Sequence, residues 1–236
     1  MTIQDLISNL NSLDSINFSK EIDKEYLLTL LKENEIQLPQ AHIEFLATNN
    51  GVESYGGYFR LFGVNNDSFC DLLKWNKEDL WKFAWCGLLD DYFCFGETAW
   101  GDQYAYKIEE LESANPKVYF IEGITMTEEV IANNFEDFLE KEFYLNSSSP
   151  YDEILVEVSQ RVGELKLNEH ITYIPSPLIG GEESAQNVQK MELLTAMVFN
   201  GDLCCQLADE SQSKQIKEIQ PFVDNEGRNR LKVIWN

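Results

Sequence analysis

Tyr92-Phe93-Cys94-Phe95-Gly96-Glu97-Thr98-Ala99-Trp100-Gly101-Asp102-Gln103-Tyr104-Ala105-Tyr106-Lys107-Ile108 is the stretch that decides the fold. Two aromatic-rich runs, Tyr92 to Phe95 and Gln103 to Ile108, flank a middle punctuated by Gly96 and Gly101, and a third run, Val118 to Ile121, follows. Short runs of this composition suit a pleated, half-buried surface and read as strands. Their connections are too brief to hold the crossover helix that parallel neighbours need, so antiparallel pairing is expected.

Upstream, the period is helical. Thr2 with Asp5 three residues on, followed by Leu6, Ile7 and Leu10, predicts a capped short helix. Ser19 is expected to open a second, with Ile22, Tyr26, Leu27, Leu30 and Leu31 on one face. Leu38-Pro39 restarts the chain into a third helix carrying Ile43, Leu46 and Ala47 and ending at Gly51. Tyr58 to Val64, entered through Gly56-Gly57, then reads as the first strand, and Trp75 to Phe83 as one or two helical turns.

Downstream, Asn134 is placed to cap a helix bearing Phe135, Phe138, Leu139 and Phe143. Asn146-Ser147-Ser148-Ser149-Pro150 is the one linker-like stretch, and it divides the chain into a first domain, residues 1–146, and a smaller α+β unit, residues 151–236. In that unit, Ile154, Leu155, Val158 and Val162 predict a helix, and a second is expected around Val188 to Phe199. Strands are expected at Leu203 to Leu207, Ile216 to Val223 and Arg230 to Trp235, the last two forming a hairpin across Asp224 to Gly227.

Charge dominates the composition: 41 acids against 18 basic residues give a formal net charge of -23. Such a field repels nucleic acid and anionic lipid and attracts basic surfaces. The five cysteines, Cys70, Cys86, Cys94, Cys204 and Cys205, contain no Cys-x-x-Cys pair and are read as free thiols, with Cys204-Cys205 in a strand. No basic leader or long apolar run opens the chain, and a cytoplasmic location is expected.

Chemistry finds little support. His42 and His170 stand apart from any Cys, Asp or Ser constellation, and phosphate-binding and nucleophile-elbow motifs are missing. The pairs Asp90-Asp91, Glu97 with Asp102, and Glu182-Glu183 are what 41 acids produce by chance, so the chain is read as non-catalytic, without metal or cofactor. The informative segments mix aromatics with carboxylates: Glu53, Tyr55 and Tyr58 in one, Glu97, Trp100, Asp102, Gln103 and Tyr104 in the other. These eight are the expected partner-binding residues, since aromatic anchors beside complementary charge carry many interfaces.

Leu38-Pro39 running into Asn49-Asn50-Gly51, the strand Tyr58 to Phe62, Phe95-Gly96, Gly101 to Tyr104 and the closing Asn134-Phe135-Glu136-Asp137-Phe138-Leu139 together resemble the SMI1/KNR4 (SUKH) family across residues 20 to 145. Tyr173 to Gly181, Asn187-Val188 and Gly201-Asp202-Leu203 are similar to C-terminal segments of type VI secretion immunity proteins. The resemblance implies an α+β fold with helices packed on an antiparallel sheet and no catalytic residues. It further implies an immunity protein that neutralises a basic toxin, such as a nuclease, or else an intracellular scaffold or regulatory interaction protein.

Overall fold

The computed structural model describes residues 2–13, 16–64, 70–210 and 215–236, without the side chains of 209 and 210. Helix α1 (Ile3–Asn11) begins as its sequence requires: the Thr2 hydroxyl accepts from Asp5 N–H at 3.2 Å, and the Asp5 carboxylate accepts from Thr2 N–H at 3.0 Å. Strand β1 (Ile16–Phe18) follows. Helix α2 (Lys24–Glu33) starts later than Ser19, because Asp23 supplies the cap by accepting from Tyr26 N–H at 3.0 Å. Helix α3 (Gln40–Asn49) ends on Asn50, not Gly51. Asn50 tolerates the left-handed backbone because its amide is pinned to Val64 N–H at 2.9 Å and Val64 O at 3.1 Å.

The strands β1, β2 (Val52–Ser54), β3 (Phe59–Leu61), β4 (Tyr92–Thr98), β5 (Gln103–Lys107), β6 (Val118–Ile121) and β7 (Glu128–Ala132) form one antiparallel sheet in chain order. The α+β class and the antiparallel pairing are therefore as the sequence implied. Strand β4 is buried along its whole length and bulges at Phe95, between the pairs Cys94↔Ala105 and Gly96↔Tyr104. On one face, the Phe95 ring meets His42, Tyr106, Phe135 and Phe138, so α3 and α5 (Phe135–Phe138) pack there. The other face is covered by α4 (Leu72–Trp75), the short turn Lys82–Trp85 and the C-terminal part of the chain. Trp75, Trp81 and Trp85 are all buried there with every indole N–H satisfied, by Gln103 Oε1 at 2.7 Å, Trp75 O at 3.0 Å and Met197 O at 3.0 Å.

From α5 the chain continues through a π-helical turn (Leu139–Phe143) into α6 (Tyr144–Ser148). The stretch expected as a linker is thus partly helical, with Asn146 and Ser147 buried and Ser147 Oγ bonded to Ser54 Oγ at 2.7 Å. After it come α7 (Glu153–Val162), β8 (Glu169–Tyr173), β9 (Val188–Glu192), α8 (Leu193–Glu210), β10 (Ile216–Val223) and β11 (Asn229–Trp235). β8 pairs with β9 and β10 with β11, giving a smaller C-terminal unit with two sheets. Leu155, Val158, Ile171, Val188 and Met197 belong to the same hydrophobic core as Phe95 and Trp75, while α8 and the final hairpin enclose a second, small cluster around Leu203, Leu231 and Val233.

Three expectations for this unit are corrected. Val188 to Glu192 is strand, and the helix begins at Leu193. Leu203 to Leu207 is helical, since Met197, Gly201 and Cys205 recur every four residues on the face toward the Lys82–Trp85 turn. A Cβ on Gly201 would lie 2.5 Å from Trp85 Cδ1 and 2.7 Å from Ala84 O, which is why glycine sits mid-helix. Finally, Cys205 is disulfide-paired with Cys86, their Cα atoms 6.2 Å apart, while Cys94 and Cys204 are free.

Candidate functional site: a carboxylate-lined groove beside a buried ionic junction

The eight expected binding residues do not form one exposed face. Tyr58 is interior, its hydroxyl donating to Gly163 O at 3.0 Å, and half-buried Tyr55 leans on it edge to face at 6.1 Å. Glu53 is half-buried opposite Arg60, and burial raises its carboxyl despite the guanidinium. Gln103 is spent on Trp75 and on Gly101 O at 3.0 Å, and the Tyr104 hydroxyl is buried without a hydrogen-bond partner. Most of the set thus lies inside, because a sheet covered on both faces takes its aromatics into the core. Of the eight, Trp100 and Asp102 line a groove.

Glu97, wholly buried on β4, sits instead in an ionic junction. Arg60 Nη1 on the neighbouring strand donates to Glu97 Oε1 at 3.0 Å, and His170 Nε2 of β8 stands 3.1 Å from Oε2. Arg60 Nη2 also donates to Lys166 O at 2.8 Å and Glu169 O at 3.1 Å, so the junction ties the sheet to the C-terminal unit. Burial alone raises the Glu97 carboxyl, but His170 and Arg60 together outweigh it and hold it below its ordinary value. Gly101, with φ of 85°, lets the turn after β4 pass His170: an added Cβ would meet Met197 Sδ at 2.9 Å. His42 lies in the other layer, stacked on Phe135 at 4.3 Å, and burial takes it down to about 3.

Beside this junction opens a groove of about 610 Å³, bounded by the β4–β5 turn, the loop 122–127, the start of α7 and the segment after β8. Trp100, Phe120, Ile124, Ile154, Tyr173 and Leu178 supply its apolar walls, and Asp102, Glu122, Glu129, Asp152 and Glu183 its charges. Among the described residues, no basic side chain lines it. The Trp100 and Tyr173 rings stack at 4.7 Å and 11°, and Trp100 Nε1 donates to Asp152 Oδ2 at 3.0 Å. The other Asp152 oxygen accepts from Leu155 N–H at 3.1 Å, so the cap of α7 also orients the tryptophan. Asp102 accepts from Thr98 Oγ1 at 2.5 Å and Gly123 N–H at 2.8 Å, yet burial pushes it up to about 6.

This groove offers acceptors, negative charge and ring surface, a combination suited to a cation carried on an apolar stem. Among the described residues, no three His, Cys, Asp or Glu side chains group as a metal site. The sequence reading missed Glu122, Glu129, Asp152 and Tyr173, and set Glu183 aside with Glu182 as a chance pair. They come from four separate segments, and the one local signal was Asp152 at a helix-capping position before Ile154-Leu155.

The family model described as "SMI1 / KNR4 family (SUKH-1)" matches residues 21–141. The chain belongs to the SMI1/KNR4 family. The matched region holds six of the seven strands of the large sheet and one wall of the groove; the Asp152, Tyr173 and Glu183 wall lies beyond it. Among solved structures, the chain is similar to the crystal structure of Atu4351 from Agrobacterium tumefaciens, at 12% identity and TM-score 0.53, over 93% of this chain and 94% of that one, a likeness of fold. No curated protein matches it in sequence. No helix among the described residues is long and apolar enough to cross a membrane.

Proposed function

We propose that this SMI1/KNR4 protein is a non-catalytic binding module of the immunity type, which neutralises a basic protein toxin, such as a nuclease, by covering its basic surface. The observation that carries the reading is the groove: five carboxylates and a stacked aromatic pair, with no basic lining residue among those described. The net charge of -23 supports it, since an acidic inhibitor can stand in for the phosphates that a nuclease cleft is built to hold. On this reading the C-terminal unit completes the binding surface begun by the family domain.

The test is co-expression with the product of the adjacent gene. Rescue of growth together with a complex that co-purifies at physiological salt supports the proposal. Absence of both protection and complex overturns it.

A further inference from the structure

We infer that the groove is a receptor for one arginine side chain presented by the protein partner. The inference rests on the binding role proposed above and names the chemistry recognised there. At about 610 Å³ the groove falls within the range of side-chain and small-ligand sites and is too small for a folded element. What enters is therefore a protruding group.

Charge complementarity decides its sign. Every titratable lining group except Tyr173 is a carboxylate, and two of them are fixed before any ligand arrives. Asp102 is held by Thr98 and Gly123, and Asp152 by Trp100 and Leu155. A guanidinium suits this arrangement better than an ammonium. It is planar, so it can lie against the Trp100–Tyr173 pair; it is weakly hydrated, so it enters a half-apolar cavity at lower cost; and it offers five donors to carboxylates spread around the rim. Ile124, Ile154 and Leu178 provide apolar surface for its methylene stem.

The sheet edge explains why the arginine comes from a polypeptide. Glu129, which lines the groove, belongs to β7, the last strand of the sheet, whose only strand partner among the described residues is β6. An extended segment can align along that free edge and place one side chain in the groove.

The experiment titrates the intact protein with acetyl-Gly-Arg-Gly-amide and with the same peptide carrying lysine or neutral citrulline, following tryptophan fluorescence and the Trp100 indole N–H resonance. The expected result is saturable binding of the arginine peptide, binding of the lysine peptide weaker by about fivefold or more, and no saturation by citrulline. The double variant Glu129→Gln with Glu183→Gln, at two exposed positions, should weaken arginine binding by about tenfold. No saturation by arginine, equal binding of arginine and citrulline, or an unchanged double variant overturns the inference. The two readings fail separately: a partner complex that the double variant forms at full affinity defeats the arginine receptor and leaves the immunity role standing, whereas an inert partner defeats the role while the peptides still report on the groove.

Discussion

Two sets of carboxylates meet the seam between the large sheet and the C-terminal unit, and they are treated in opposite ways. Glu97 is walled in with Arg60 and His170, which keep its carboxyl below its ordinary value. A few residues along the same chain segment, Asp102 has hydrogen-bond donors but no cation, and burial drives it up to about 6. The difference separates a carboxylate compensated by buried basic groups from one held by hydrogen bonds alone.

The largest effect is expected at the closed junction. Glu97→Gln leaves Arg60 in the interior without its counter-charge and should cost about 3 to 5 kcal/mol in urea or thermal unfolding. A loss below about 1 kcal/mol would mean that the junction contributes little to the seam.

Next comes the pH dependence of Asp102. Its folded value of about 6 lies above the ordinary 3.8, so the stability associated with its proton is full below pH 3.8 and is lost as pH rises through 6. The total is about 3 kcal/mol by pH 7. Asp102→Asn does not titrate, so urea titrations from pH 4 to 7 should show the variant gaining on the parent by about that amount. A constant difference across the range would put the charged group in water.

Gly201→Ala tests the approach of α8 to Trp85. Overpacking of this kind costs about 1 to 3 kcal/mol, against a gain of about 1 kcal/mol from helix propensity, so a modest net loss with a red shift of tryptophan emission is expected. At the open groove, Glu129→Gln should move stability by no more than about 0.5 kcal/mol while slowing association with a basic partner. That rate should also fall as salt shortens the screening length from about 10 Å at 0.1 M to about 3 Å at 1 M. A rate indifferent to salt would make the groove's charge irrelevant to capture.

Much of the sheet was legible because its central strands are rich in aromatics, and Val118 to Ile121 is a strand with the bounds expected of it. Strand β7 was not, since Glu128-Glu129-Val130-Ile131-Ala132 opens with two acids and lies mostly exposed at an edge, where a strand needs no apolar face. Helix α8 was misread at both ends because a helix apolar on several sides loses its period, and Leu203 to Leu207 then resembles a strand. Of the groove, Trp100 and Asp102 could be read from one segment. The remaining lining residues become neighbours only when α7 and the end of β8 fold back beside the sheet.

The edge strand β7 has one more consequence. A bare strand edge invites another copy of the same chain to zip onto it, yet here Glu128 and Glu129 sit exposed on that margin. Two such margins brought together would face acid with acid. Like charge on that margin therefore works against the pairing of two copies through this edge.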